Sequence, residues 1–200
     1  FRVGRQVFIS AGLRTLLRWL LRIVAGLMLM IVVGLAAYAG YATWAWADIP
    51  VATLSERYGD DALQVATIDG LPIRYRLQGP PGRPVVALIH SHFLDMGMWD
   101  DWVDVLTPTY RVLRYDLAGH GLTGPDPSGR YGVDRDVELL RGLLDQLGIA
   151  HAHVVGSSLG GNIAFSFAAR HPDRTDALVL VNSGGLKRKN SRGGGEIPAW

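Results

Sequence analysis

The sequence predicts an α/β domain with a mainly parallel sheet and flanking helices, preceded by one membrane-spanning helix. Three observations predict it. Short apolar runs alternate with amphipathic stretches from residue 84 onward, a 25-residue uncharged run occupies Ile23 to Ala47, and Gly156-Ser157-Ser158-Leu159-Gly160 falls between an apolar run and a helical stretch. Alternation of strand and helix is the pattern of helices packed on both faces of a mostly parallel sheet. A chain of 200 residues is long enough to bury such a core.

The N-terminal region comes first. Some 20 apolar residues, at about 1.5 Å each, cross the hydrocarbon core of a bilayer, and Ile23 to Ala47 exceeds that length. Tyr38, Tyr41, Trp44 and Trp46 gather at one end of the run, where an interfacial aromatic belt belongs, and Arg14, Arg18 and Arg22 flank the other. The positive-inside rule then places residues 1–22 as a basic cytoplasmic arm and the body beyond Ala47 outside the cytoplasm, in the periplasm if the protein is bacterial. Ala45-Trp46-Ala47 has the small-x-small form of a signal-peptidase site, so a cleaved signal is the alternative. A buried core helix is rarely apolar all round for this length. The first residue is Phe1, and a start upstream of it is expected.

Charge follows the same division. Residues 1–47 carry five arginines and no acid, whereas the rest carries 15 Lys plus Arg against 18 Asp plus Glu. The net charge of +2 therefore belongs to the arm, and a mildly acidic body gives no reason to expect a nucleic-acid partner. With no cysteine, neither disulfides nor thiolate metal sites arise.

The body follows in order. Residues 48–64 read as a polar linker with a short helical piece, and residues 65–200 as the α/β domain. Val65 to Ile68 and Ile73 to Leu77 read as strands joined through Asp69-Gly70, a strong hairpin signal. Pro84 to His90 is a continuous apolar run suited to a strand buried on both faces. A short helix around Trp99 to Leu106 and a strand from Arg111 to Asp116 follow. Val137, Leu140, Leu144 and Leu147 recur at helical steps within Val133 to Leu147, and Gly148 stops that helix. His153 to Gly156 is a short strand, Leu159 to Arg170 a helix, and Ala177 to Val181 a strand. Lys187 to Gly195 reads as a solvated loop.

Gly156 to Gly160 fits Gly-x-Ser-x-Gly in the setting a nucleophile elbow needs, a strand before and a helix after. Such a turn lifts the serine hydroxyl above the strand ends, and the first N–H groups of the helix stabilise an oxyanion there. With this motif the chain, from about Val65 to Gly185, resembles the α/β-hydrolase family. Leu88-Ile-His-Ser-His92 stands where that family has its His-Gly oxyanion strand end, with Trp99 following. Asp116-Leu-Ala-Gly-His-Gly121 is similar to its Asp-x-x-Gly-His-Gly, and Ala169-Arg-His-Pro172 with Ala177 to Val181 is similar to the helix end and strand that follow the elbow.

The resemblance implies an α/β-hydrolase fold and a role for each site residue. Ser158 is the nucleophile, Gly156 and Gly160 shape the elbow, and the backbone N–H groups of Leu159 and His92 form the oxyanion hole. Ser91 departs from the family's usual glycine, as in enol-lactonase-like members. A serine at the elbow, where dehalogenases and epoxide hydrolases of this fold carry aspartate, implies attack on an ester, thioester or lactone carbonyl through an acyl-enzyme. The implied partners are a small or lipophilic ester or lactone and, through residues 23–47, a lipid bilayer. No cofactor is implied.

The fold orders its triad Ser, then Asp or Glu, then His. Downstream of Ser158 the only histidine is His171, at a helix end, and Asp173 and Asp176 are expected ahead of the next strand. The base and its acid are therefore expected beyond Trp200, together with a lid and the last strands, and residues 1–200 alone are expected to be inactive. His120 is expected to brace its loop, and His151 and His153 to be structural or solvated. Gly119-His-Gly121-Leu-Thr-Gly124 fits Gly-x-Gly-x-x-Gly, but Pro125 and Pro127 follow where a dinucleotide site needs a helix. A carbon–carbon bond hydrolase or perhydrolase-like member would use the same serine, and a non-catalytic binding protein of this fold would keep it without the base.

Overall fold

The computed structural model describes residues 11–184, so the stretch from Lys187 to Gly195 lies outside the described residues. The chain divides into two units, Phe1–Ile49 and Pro50–Trp200.

The first unit contains helix α1 (Ala11–Ala45), long and apolar enough to cross a membrane. It is longer than the uncharged run, because Arg14, Arg18 and Arg22 continue the helix before Ile23. At 1.5 Å per residue its 35 residues extend about 50 Å, more than the ~30 Å hydrocarbon core. The surplus is the arginine-bearing stretch.

The second unit opens with α2 (Val51–Tyr58), the short helical piece expected in the linker. A hairpin of β1 (Gln64–Ile68) and β2 (Leu71–Gln78) turns through Asp69 and Gly70, both at positive φ (47° and 82°), as a tight two-residue hairpin turn requires. Then come β3 (Val85–Ile89), a 3₁₀ turn at Met96–Trp99, α3 (Asp100–Leu106), β4 (Arg111–Tyr115), α4 (Val133–Gln146), β5 (Ala152–Ser157), α5 (Leu159–Arg170) and β6 (Thr175–Val181). Gly148, at φ 66°, takes the left-handed conformation that commonly follows a helix end. β6 begins two residues earlier than expected, so Asp176 lies within the strand rather than ahead of it.

The sheet order is β1-β2-β4-β3-β5-β6. β1, β2 and β4 pair antiparallel in succession, and β4, β3, β5 and β6 pair parallel. The central strands are buried on both faces, and their side chains divide between two cores. Ala87, Ile89, Leu113, Tyr115 and Val154 pack with α4 and α5, while Val86, Leu88, Val112 and Val155 pack with Trp99 and Val103. This period-two division explains why β3 reads as an unbroken apolar run. Among the described residues β6 is the outermost strand on its side, and Leu178, Val179 and Leu180 there are 37–44 % exposed.

Candidate active site

The elbow is built at the end of β5. Ser158 has φ 51° and ψ −110°, a backbone conformation that an L-residue adopts only when the surroundings impose it. Three backbone hydrogen bonds impose it. Ser158 N–H donates to Val181 O at 3.1 Å, and Ser158 O accepts from Asn162 N at 3.2 Å and from Gly184 N at 3.2 Å.

The glycines of the motif have steric reasons. A Cβ on Gly156 would stand 2.1 Å from Gly160 O, and one on Gly160 would stand 2.2 Å from Ile89 O and 2.5 Å from His90 O. α5 thus starts pressed against the end of β3, where the His90-Ser91-His92 loop begins. Leu159 is the first residue of α5, and its N–H is among those the helix cannot pair internally.

Asp116 ties the two loops beside the elbow together. Its Oδ1 accepts from Met96 N at 2.8 Å and its Oδ2 from Leu122 N at 2.7 Å. Burial raises its pKa, and these two hydrogen bonds oppose that shift. Gly121 has φ 50°, and a Cβ there would lie 2.3 Å from Asp116 Oδ2, so the last glycine of the motif makes room for the carboxylate.

His90 is wholly buried and joins the same two loops. Its Nδ1–H donates to Ser91 O at 2.8 Å while its Nε2 accepts from Leu117 N at 2.9 Å. Only the neutral ring tautomer can do both. Burial accordingly lowers its pKa from 6.5 to about 4. Ser91 N–H is directed to Met98 Sδ at 3.3 Å, so the residue standing for the family's glycine is held by the 3₁₀ turn.

A cavity of about 490 Å³ opens at the elbow, and its walls include Ser158, Leu159, His92, His120, Asp136 and Asn162. The structure thus gathers Ser158, Leu159 and His92 around one space, with Gly156 and Gly160 behind it. His120 braces its loop as expected, with Nδ1 3.1 Å from Ala118 O, and it also faces this cavity with Nε2 3.4 Å from His92 Nδ1. His151 is far along the sheet and pairs with Asp176 at 2.7 Å. His153 stacks edge-on against Tyr110 and His171 lies against Phe167. Among the described residues no hydrogen bond reaches Ser158 Oγ, and no group of three or more His, Asp or Glu is placed to hold a metal ion.

Asp136 and Asn162 were not singled out in the sequence. Asp136 had a signal: counted from Val133 and Val137, it falls on the apolar stripe of α4, where a carboxylate is out of place. It is 8 % exposed, and burial raises its pKa from 3.8 to about 6, against the lowering influence of His120 and Arg135.

A strained serine between strand and helix, an Asp-x-x-Gly-His-Gly brace and a strand order with one parallel crossover series define an α/β-hydrolase. The family model for the alpha/beta hydrolase fold matches residues 84–194, more than half of the chain, and the chain belongs to that family. Among solved structures it is similar to a hydrolase from Pseudomonas aeruginosa PA01 (37 % identity, TM-score 0.60, 64 % of this chain and 49 % of that one). It is also similar to the enol-lactonase from Burkholderia xenovorans LB400 (36 %, TM-score 0.58, 60 % and 46 %). A membrane phospholipase A, described as a bacterial virulence factor, matches over a longer stretch (29 %, TM-score 0.62, 85 % of this chain and 54 % of that one). The chain spans 45 % of the length of the first curated relatives it matches.

Proposed function

We propose that the protein is a serine hydrolase that cleaves a carboxylic ester or lactone through an acyl-enzyme, with Ser158 as nucleophile. The observation that carries this is the backbone of Ser158, held at φ 51° and ψ −110° between β5 and α5 at the wall of a cavity. Strain of this kind persists where a side chain must be aimed.

In the reaction, Ser158 Oγ attacks the carbonyl carbon as its proton passes to a base. The tetrahedral oxyanion is taken by the N–H groups of Leu159 and His92 and by the positive end of α5. Collapse expels the alcohol and leaves the acyl group on Oγ, and water then releases the acid. The base in this fold is a histidine that follows the nucleophile and then the acid in chain order. Similarity to proteins described as an enol-lactonase and a membrane phospholipase A is in keeping with this chemistry. The catalytic unit lies outside the cytoplasm, held at the bilayer by Ile23 to Ala47.

A fluorophosphonate probe applied to the full-length protein tests the nucleophile. Labelling at Ser158, with loss of labelling and of ester cleavage in Ser158→Ala, is the expected result. Ester cleavage at the wild-type rate in Ser158→Ala refutes the assignment.

A further inference from the structure

We propose that Asp136 is a specificity residue of the Ser158 cavity, which takes a hydrogen-bond donor on the substrate, a hydroxyl, amide N–H or ammonium, and turns away substrates with a carboxylate at that place. The inference rests on the serine-hydrolase reading above and names the substrate class within it.

Four observations carry it. First, Asp136 lies in the wall of the cavity that also holds Ser158, Leu159 and Asn162. Second, its carboxylate accepts no hydrogen bond from any described residue, although its backbone N–H is used at Gly132 O. Buried carboxylates are ordinarily satisfied, and one that is not and that faces an open cavity leaves its acceptor sites for whatever enters.

Third, the nitrogen donors of Arg135 and His120 are committed elsewhere. Arg135, next in the chain, turns its guanidinium to Asp126 at 2.8 Å, Asp69 at 2.8 Å and Glu138 at 3.3 Å. His120, from the loop after β4, spends Nδ1 on Ala118 O and Nε2 on His92. Fourth, the fully buried Tyr115 hydroxyl on β4, which feels the Asp136 charge, has no partner among the described residues. The groups that face Asp136 are thus His120, Arg135, Asp126 and Tyr115, and none of them neutralises it by a direct bond.

A purely structural acid would be placed as Asp126 is. That residue is also buried, but Ser128 N, Ser128 Oγ and Arg135 all donate to its carboxylate. Burial pushes the Asp126 pKa up, and these donors outweigh it and hold the group at about 2. The two acids are ten residues apart in sequence, and only Asp136 is left open towards the space where a substrate would lie.

A polar group that pairs with a buried charge gains far more discrimination than an apolar contact, because the wrong substrate leaves the charge unpaired. A substrate carboxylate there adds like-charge repulsion.

The test uses the full-length protein in detergent and three chromogenic esters: p-nitrophenyl butyrate, p-nitrophenyl 3-hydroxybutyrate and mono-p-nitrophenyl glutarate. The readout is the ratio of kcat/KM values between esters, which a general loss of folded enzyme leaves unchanged. In Asp136→Leu the hydroxybutyrate-to-butyrate ratio is expected to fall about ten- to a hundredfold, the loss of one hydrogen bond to a charged group. The glutarate-to-butyrate ratio is expected to rise at least about tenfold. Should Asp136→Leu not melt cooperatively, Asp136→Asn, of nearly the same volume, decides through the glutarate-to-butyrate ratio, which must rise. Ratios that stay within about twofold of wild type, well below the effect of one such bond, overturn the proposal while leaving the serine mechanism standing. Cleavage of none of the esters, or of all of them by Ser158→Ala, overturns the serine-hydrolase reading and this inference with it.

Discussion

Asp136 makes a prediction about stability that does not depend on any substrate. A buried carboxylate with a pKa of about 6 against an ordinary 3.8 opposes folding whenever it is charged. The displacement corresponds to about 3 kcal/mol. Below about pH 4 the group is protonated in both the folded and the unfolded chain and costs nothing. As the pH rises from 4 to 6 the unfolded chain gives up its proton while the folded chain keeps it, so stability falls, and above 6 the loss is complete. His90 works in the opposite sense. Its folded pKa of about 4, below 6.5, means that the unfolded chain binds a proton as the pH falls from 6.5 to 4 and the folded chain does not. That stability is present above 6.5 and is lost towards 4, again by about 3 kcal/mol. In the wild type the two slopes run against each other across one window. Asp136→Asn removes only the first. The variant is expected to match wild type near pH 4 and to exceed it by about 3 kcal/mol at pH 7, or about 10 °C in Tm for a body of this size. Asp116, also raised by burial, acts alike in both proteins and drops out of the difference. Thermal melts of the two full-length proteins in one nonionic detergent, from pH 4 to 8, provide the measurement. Parallel curves, with no gain at pH 7, would show that the Asp136 carboxylate is satisfied in the folded protein and would refute the reasoning.

Two further outcomes follow from the fold. Gly160→Ala would place a Cβ 2.2 Å from Ile89 O, a backbone atom that cannot step aside, so a loss on the order of 3 kcal/mol in thermal or urea unfolding is expected, and an unchanged Tm refutes the close approach of α5 to β3. Alkaline phosphatase fused at the C-terminal end is expected to be active and a cytoplasm-only fluorescent protein at the same place dark, as five arginines before the apolar run demand; the reverse pattern overturns the orientation, and a product beginning at Asp48 replaces the anchor with a cleaved signal.

Much of the architecture was legible because single residues force it. Asp69-Gly70 fixes a hairpin by its positive φ values, the run Val85 to Ile89 is apolar on both faces because the sheet is covered on both, and Ser158 stands out by its glycines. The interior of the site was less legible, because its contacts join residues distant in sequence. His90 Nε2 meets Leu117 N across 27 positions, and Asp116 reaches Met96 across 20. Nothing in the local pattern around His120 distinguishes a loop brace from a cavity wall, and the structure makes it both. Asp136 was visible as a charged residue on an apolar stripe, but whether such a residue is paired or open depends on where Arg135 turns, which only the packed structure shows.

β6 belongs to the elbow as much as to the sheet. Two of the three backbone hydrogen bonds that hold Ser158 in its unusual conformation come from β6 and the residues just after it, Val181 O and Gly184 N. A Cβ on Gly161 would meet Ser183 Oγ at 2.6 Å, so the same segment also packs against the first turn of α5. Neither β5 nor α5 alone can hold a serine at φ 51°, since a conformation costing on the order of 1–3 kcal/mol relaxes unless its neighbours over-determine it. The over-determination here is divided between β5, α5 and β6. The elbow therefore exists only once β6 has paired with β5 in the register that sets Ser157 against Val181. Pairing of β6 with β5 and the strained placement of Ser158 are one event, which is why this geometry is a property of the folded domain rather than of the Gly-x-Ser-x-Gly pentapeptide that announces it.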